Sequence, residues 1–297
     1  MFDSLPQVIN EFLLDGEGRG HSALTTRAYR TAFTAFTVWM TGKGVERLSQ
    51  ITPLLLREYA VHCSATLSAG GAHARLRPVK TLLKWAHAEE LVPVDLTRRL
   101  PMPKLPKETL PAVRYSDFQK LLGAARLKSR TPLRDVALLT VLYDTGVRAS
   151  EALNLQLDDV RPEGFLLIRK GKGGKSRAVP MERPTLKAIR AYVSQERDDD
   201  PGTAYVFLAA DRQMRRGTLD KVLERLAQFA GLSRLSAHAF RRGFAVQYLR
   251  NGGDVFTLQR IFGHSSLEMS NRYAQLLDDD IKAAHRRSSP LRNRGEE

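Results

Sequence analysis

The sequence predicts a mainly α-helical protein with a small antiparallel β-sheet, divided into two domains. Residues 1–99 repeat apolar side chains at helical spacing, and residues 100–111 hold four prolines in twelve positions, too many for a helix or a central strand. The second half mixes helical segments with a stretch, 164–181, that is typical of two short strands around a Gly-Lys loop. We therefore expect a helical domain over 1–99, an extended linker over 100–111 and a mixed domain over 112–297.

Two helices of the first domain begin with clear capping residues. The stretch SALTTRAYRTAFTAFTVWM has Ser22 or Thr25 as its N-cap. Its apolar residues at helical spacing are Leu24, Tyr29, Phe33, Phe36 and Met40. The next helix begins with Thr52 as N-cap and Pro53 in the first helical position.

A third helix, from about residue 72 to residue 90, carries four cations among its apolar residues. They are Arg75, Arg77, Lys80 and Lys84. The whole chain has 47 Lys and Arg against 32 Asp and Glu, a formal net charge of +15. This excess favours a polyanionic partner, nucleic acid ahead of a membrane surface. The alternative for the whole chain is a solvated basic surface without such a partner. The alternative for this helix is a solvated face instead of a face that follows the phosphates of a nucleic acid.

Cysteine usage and the apolar runs exclude several classes of protein. Cys63 is the single cysteine, which rules out an intrachain disulfide and a zinc site built on cysteines. The start, MFDSLPQVIN, lacks a basic region followed by an apolar run, so we expect no signal peptide. No apolar run approaches the roughly 18 residues of a membrane span. We expect a cytoplasmic protein without a membrane partner.

The second half contains three well-marked helices. RDVALLTVLYDTG, residues 134–146, predicts a buried helix that ends at Gly146. TLDKVLERLAQFAG and AFRRGFAVQYLRNGG predict two more helices, each stopped by glycine. We find no internal repeat and no low-complexity tract.

Four segments carry candidate site residues, and the first is SAHAFRRGFA. His238 and Arg241 are three residues apart and share a face at the start of a predicted helix, with Arg242 about a hundred degrees round. An imidazole and a guanidinium at a helix N-terminus form a seat for phosphate. The alternative is a capping histidine and an arginine paired to a surface carboxylate.

In DTGVRASEALNLQ, Arg148 and Glu151 are three residues apart, just after a glycine turn. A carboxylate that holds an arginine makes a rigid anion fork. The alternative is a surface ion pair of less than about 1 kcal/mol.

The other two segments are a basic loop and a glycine-histidine break. RKGKGGKSR places a set of cations on a glycine-rich hairpin tip that can approach a backbone closely, or that is simply a flexible basic turn. The cations are Lys170, Lys172, Lys175 and Arg177. In IFGHSSLEMSNRYAQL, His264 ends one helix and Tyr273 follows nine residues later, as a hydroxyl nucleophile or as a core residue.

Together these segments supply what phosphodiester cleavage without a metal requires. The transition state adds negative charge to the non-bridging oxygens, which two guanidinium groups stabilise. A tyrosine hydroxyl, with a pKa of about 10, needs a base, and histidine can supply it. The leaving alkoxide needs a proton, and a lysine can donate it. These four segments contain no acidic cluster to hold a metal.

TGVRASEAL, GKGGKSR, HAFRRGFA and FGHSSLEMSNRY, in this order and spacing, resemble the tyrosine recombinases, or phage integrase family, in its Xer-like or integrase-like branch. The resemblance covers nearly the whole chain. It implies a helical core-binding, SAM-like domain over 1–99 and an α+β catalytic domain over 112–297. One departure is Arg242-Gly243, where many relatives carry His-Thr.

The resemblance also implies roles for residues that match the family's motifs. Arg148 and Arg241 would clasp the scissile phosphate, with Glu151 orienting Arg148. His264 would hydrogen-bond the phosphate. Contacts with the DNA backbone are expected from Arg75, Arg77, Lys80, Lys84, Lys170, Lys175, Arg177 and Arg242.

Tyr273 would be the nucleophile and form a 3′-phosphotyrosyl link, with His238 in acid–base duty. Lys172 would protonate the leaving 5′ oxygen, with Lys175 as the alternative. No metal and no ATP are implied.

The family's activity is site-specific recombination, used in integration, excision or dimer resolution. The implied partners are double-stranded DNA with an inverted-repeat site, a homotetramer or a heterotetramer with a related recombinase, and an accessory DNA-bending protein. The implied location is the nucleoid, and the tail, about 278–297, would dock on a neighbouring subunit. The alternatives are a type IB topoisomerase-like enzyme and a non-catalytic DNA-binding protein on the same fold.

Overall fold

The described part of the chain is mainly helical. The computed structural model describes residues 4–105, 111–169, 176–197 and 202–263, and these include two small antiparallel sheets. The predicted fold class is confirmed. The chain divides into two compact units, Met1–Glu108 and Thr109–Glu297. No helix among the described residues is long and apolar enough to cross a membrane.

The described part of the first unit contains two short 3₁₀ helices, Leu48–Gln50 and Leu96–Arg99, and four α-helices, of which α4 packs against the other three. They are α1 (Leu5–Gly18), α2 (Ala23–Gly42), α3 (Pro53–Thr66) and α4 (Ala69–Ala88). The predicted caps are present, since Ser22 accepts a hydrogen bond from the Thr25 amide and Thr52 accepts one from the Leu55 amide. Because Ser68 caps α4, this helix begins earlier than expected.

The core of the first unit differs from the predicted stripe at one position. Phe33, Phe36 and Met40 of α2 are buried as expected, but Leu24, in the first turn, is 77% exposed. On α4, Arg77 and Lys84 are exposed.

Arg75 of α4 lies apart from the exposed cations of its helix. It is half-buried, and its charge acts on Tyr59 and Cys63. A face that follows phosphates would therefore centre on the exposed Arg77 and Lys84, at helical positions i and i+7, with the half-buried Lys80 between them at i+3.

The second unit builds its core around α6, which packs against α5, α8 and α10. Its helices are α5 (Tyr115–Lys128), α6 (Pro132–Thr145), α7 (Ala149–Leu153), α8 (Arg183–Gln195), α9 (Arg216–Phe229), α10 (Ala237–Arg250) and α11 (Val255–Phe262). Its strands are β1 (Val160–Arg161), β2 (Phe165–Ile168), β3 (Arg177–Pro180), β4 (Leu208–Ala209) and β5 (Arg212–Gln213).

The predicted hairpin is the β2–β3 pair. The two strands are antiparallel, with Phe165 opposite Pro180 and Ile168 opposite Arg177. β1 adds to β2 to complete a three-stranded sheet, and β4–β5 form a separate pair. Strands β1, β4 and β5 have two residues each, which is too few to leave an alternating pattern in the sequence.

A tight turn after α6 brings the chain to Arg148. Gly146 has φ 58°, in the left-handed region. A Cβ atom there would lie 2.7 Å from ring carbons of both Phe244 and Phe262. The turn therefore requires glycine for its backbone conformation and for the close approach of α10 and α11.

We predict that Gly146→Ala destabilises the protein by about 2–5 kcal/mol, measured by chemical denaturation. About 1–2 kcal/mol comes from a non-glycine residue in the left-handed region, and about 1–3 kcal/mol from overlap with the two rings. The matched control is Gly231→Ala, because Gly231 has φ 65° and open space around its Cβ position. The control should lose only the conformational part, and equal losses in the two variants would contradict the predicted overlap.

Candidate active site

The C-terminal end of α11 gathers arginines from three other elements. The Phe262 carbonyl accepts hydrogen bonds from Arg241 Nη2 at 3.1 Å and from Arg148 Nη1 at 3.3 Å. The preceding carbonyl, of Ile261, accepts one from Arg177 Nε at 2.8 Å. The last carbonyls of a helix have no partner within it and lie at the negative end of its dipole. The helix end therefore supplies negative potential to three guanidinium groups.

Arg241 is almost completely buried, at 2% exposure. Its Nη1 also donates to the Gly146 carbonyl at 2.7 Å, and its guanidinium carbon lies 3.6 Å from the centroid of the Phe262 ring. A buried charge is tolerated only with such partners. The sequence prediction that Arg241 lies in the first turns of a helix is correct, since α10 begins at Ala237.

Arg148 is the N-cap of α7, directly after the glycine turn. Its amide donates to Glu151 Oε2 at 2.8 Å, and its Nη1 donates to Glu151 Oε1 at 2.9 Å. The Arg148 side chain is 27% exposed and that of Glu151 is 8% exposed. The predicted fork is present, and it is partly buried instead of lying on the surface.

Arg177, the first residue of β3, completes the surroundings of Glu151. Its Nη1 and Nη2 donate to the two carboxylate oxygens at 3.0 and 2.9 Å, and its side chain is 13% exposed. We expected this residue to contact the DNA backbone, but its guanidinium is directed at Glu151 and at the Ile261 carbonyl. Sequence reasoning missed this contact because the two residues are 26 positions apart, and no local spacing marks such a pair.

The charge state of Glu151 follows from these contacts. Burial raises the pKa of its carboxyl, but the hydrogen bonds from Arg177 and the Arg148 amide, with both guanidinium charges, outweigh burial and lower it. Glu151 is therefore ionised at neutral pH and supplies a fixed negative charge beneath Arg148.

His238, in the first turn of α10, has a pKa lowered from its ordinary value. Partial burial of the ring is the largest cause, followed by the positive charges of Arg242, Arg241, Arg148 and Arg216. The residue keeps an exposed surface. A neutral imidazole at pH 7 can accept a proton, and an anion placed among these cations would favour its protonated form.

Arg242 and Gly243 join α10 to the segment that precedes α5. Arg242 is buried, and its Nε donates to the Pro111 carbonyl at 2.9 Å. A Cβ atom at Gly243 would lie 2.3 Å from the Val113 carbonyl oxygen, so glycine is needed for this approach. This packing accounts for the departure at these two positions. The predicted contact of Arg242 with the DNA backbone stays a prediction.

Several predicted site residues fall outside the described residues. Lys170, Lys172 and Lys175 belong to the stretch between β2 and β3, and His264 and Tyr273 follow the last described residue, Gly263. Their roles stay predictions. Within the described ranges, no group of three or more His, Cys, Asp or Glu side chains is arranged to hold a metal ion.

Two family models match the chain. Residues 112–279 match the phage integrase family, and residues 9–90 match the N-terminal SAM-like domain of phage integrases. The chain belongs to the phage integrase family. This membership confirms the resemblance found in the sequence motifs.

Curated relatives are similar to the chain over most of its length. The tyrosine recombinase XerD of Mycobacterium leprae (strain TN) is 32% identical, over 91% of this chain and 93% of the relative. The tyrosine recombinase XerC 2 of Ralstonia nicotianae (strain ATCC BAA-1114 / GMI1000) is 30% identical, over 92% of this chain and 82% of the relative. The family's tyrosine recombinases are thus the proteins that this chain resembles.

Solved structures share the fold. The XerH site-specific recombinase bound to a palindromic difH substrate, in a post-cleavage complex, has a TM-score of 0.70 at 21% identity and covers 95% of this chain and 84% of that chain. A lambda integrase tetramer bound to a Holliday junction has a TM-score of 0.69 at 17% identity and covers 89% of this chain and 78% of that chain.

Proposed function

We propose that the protein is a site-specific DNA recombinase that cuts and rejoins strands through a covalent tyrosine link. The observation that carries the proposal is the meeting of Arg148 and Arg241 at one carbonyl oxygen, with His238 in the same field of charge. Two guanidinium groups held this closely are suited to two oxygens of one phosphate. Membership of the phage integrase family supports the same reaction.

The arginines would stabilise the charge that develops during cleavage. As a nucleophile adds to phosphorus, negative charge grows on the non-bridging oxygens. Arg148 and Arg241 are already oriented by Glu151, Gly146 and Phe262, so little reorganisation is needed. This preorganisation is the main source of rate that the described residues offer.

The nucleophile in this proposal is Tyr273. Its oxygen attacks the phosphorus and the bond from phosphorus to the 5′ oxygen breaks, which leaves a 3′-phosphotyrosyl link and a free 5′ hydroxyl. His238 takes the tyrosine proton, in keeping with its lowered pKa. Lys172 gives a proton to the 5′ oxygen, with Lys175 as the alternative donor, and His264 hydrogen-bonds the phosphate. Attack by a 5′ hydroxyl of another strand reverses these transfers and rejoins the DNA.

The rest of the chain would bind the duplex. We assign residues 1–99 to a core-binding domain, 100–111 to a linker and 112–297 to the catalytic domain. The basic face of α4 suits phosphate contacts, because its exposed Arg77 and Lys84 lie on the same side of the helix. Lys170 and Lys175 would add contacts from the hairpin loop.

We further propose that the recombinase assembles as a tetramer on two inverted-repeat sites. One fold relative is a tetramer on a Holliday junction. A heterotetramer with a related recombinase and an accessory DNA-bending protein are finer versions of this assembly. Because its substrate is DNA, we propose that the protein is cytoplasmic and associated with the nucleoid.

A covalent trap tests the proposed cleavage reaction. The protein, incubated in EDTA with sheared DNA from its source organism and then denatured in SDS, should stay linked to DNA at one short inverted-repeat site. Tyr273→Phe removes the nucleophilic oxygen and should abolish the adduct. Tyr115→Phe is the matched control, since Tyr115 is an exposed tyrosine of the same unit, and it should leave the adduct intact.

The other outcomes of this trap decide between the proposed functions. Adducts scattered over all sequences would favour a type IB topoisomerase-like enzyme. Binding without adducts, by wild type and Tyr273→Phe alike, would contradict an enzyme that acts alone and would leave a missing partner recombinase or a non-catalytic DNA-binding protein.

We propose that the tail, residues 278–297, docks on a neighbouring subunit. Deleting it should weaken assembly on a full site more than binding of one protomer to a half-site, measured by native gel shift. Ile281→Asp should act in the same direction by placing a charge at an apolar position of the tail, whereas Ile281→Val should not. Unchanged assembly of the truncated protein would count against the docking.

A further inference from the structure

We propose that Arg177 is a positioning residue of the candidate site. Its guanidinium group connects β3, Glu151 and the C-terminal end of α11 through hydrogen bonds. Its three guanidinium nitrogens reach two partners, the Glu151 carboxylate and the Ile261 carbonyl. The consequence for cleavage rests on the proposed function, whereas the consequence for local order does not.

Two arginines share the carboxylate of Glu151. Oε1 accepts from the Nη1 atoms of Arg148 and Arg177, and Oε2 accepts from the Arg148 amide and Arg177 Nη2. Because Arg177 donates from Nη1 and Nη2 end-on to both oxygens, it fixes the rotation of the carboxylate. The carboxylate in turn fixes the Arg148 guanidinium, so Arg177 acts on the phosphate site through Glu151.

Arg177 also contacts the C-terminal end of α11. Arg177 Nε donates to the Ile261 carbonyl at 2.8 Å. A Cβ atom at Gly263 would lie 3.2 Å from Arg177 Cδ, so the arginine stem runs against the residue that precedes His264. Arg177 therefore holds the point from which the predicted phosphate-binding histidine leaves α11.

Arg177 also lies in the stem of the hairpin that β2 and β3 form. Arg177 begins β3 opposite Ile168, at the base of the stretch that contains Lys172. On the β2 side, Arg169 pairs with the buried carboxylate of Asp159. Each side of the stem is therefore tied by an arginine to the body of the unit, and Arg177 connects it to Arg148.

A lysine cannot replace this residue. A planar guanidinium reaches a carboxylate with two parallel bonds and a carbonyl with a third, whereas an ammonium group acts as a single point charge. Arg177→Lys should therefore behave like Arg177→Gln in positioning, although it keeps the charge. This separates positioning from simple attraction of DNA.

The matched control is Arg134. It too is a buried arginine that bonds a neighbouring carboxylate, Asp135, and one backbone carbonyl, of Leu208. Arg134→Gln removes the same kind of interaction from the same unit without touching Glu151 or α11.

The first test needs no DNA and uses hydrogen–deuterium exchange of the full chain. In Arg177→Gln and Arg177→Lys, exchange should rise in peptides that cover 146–154 and 255–263. In Arg134→Gln it should rise around 132–137 and stay at the wild-type level in those two segments. Wild-type exchange at 146–154 and 255–263 in both Arg177 variants would overturn the inference.

The second test uses the site recovered by covalent capture, at saturating DNA and below the melting temperature of every variant. Both Arg177 variants should form adducts about a hundredfold more slowly, the size of effect expected from a misplaced catalytic group. A methylphosphonate at the scissile position carries no charge and depends less on Arg148, so the defect should shrink to within about tenfold.

The two proposals fail in distinguishable ways. An equal defect on the phosphodiester and the methylphosphonate, or a defect as large in Arg134→Gln, would overturn the positioning role. If the wild type forms no adduct, the proposal of a recombinase that acts alone fails, and the exchange experiment alone decides the role of Arg177.

Discussion

The last two carbonyls of α11 are the point on which the candidate site depends. Three arginines from the start of α7, the start of β3 and the first turns of α10 donate to these two oxygens. A helix end attracts cations because its carbonyls are unpaired and its dipole is negative there. The short helix therefore gathers side chains that are far apart in the sequence, and the ring of its last residue, Phe262, also stacks against Arg241.

This arrangement concentrates positive charge, which needs compensation in the free protein. Glu151 supplies a full negative charge and the α11 carbonyls supply a partial one, and both are hydrogen-bonded to the arginines. Burial is the largest cause of the lowered pKa of His238, and the positive charges of the surrounding arginines lower it further. The three arginines carry more positive charge than Glu151 carries negative charge, so the site favours an anion, which is what a phosphate-binding site requires.

The sequence could predict the local parts of this site but not their meeting. The glycine turn, the Arg148–Glu151 fork and the position of His238 and Arg241 at a helix start all follow from spacings of a few residues. The partners of Arg177 do not, because they depend on how β3 packs against α7 and α11.

Elsewhere in the fold, the same limit applies to tertiary packing. Leu24 fits a helical stripe but is exposed, since the stripe does not say where the neighbouring helices end. The two-residue strands β4 and β5 have no periodicity to detect.

If Arg148 and Arg241 act on one phosphate, their contributions to cleavage are coupled. A double-mutant cycle of Arg148→Lys and Arg241→Lys on the rate of adduct formation measures this coupling. Each single change should cost about a hundredfold to a thousandfold, and the double variant should lose far less than the product of the two losses. Losses that simply multiply would contradict a shared phosphate.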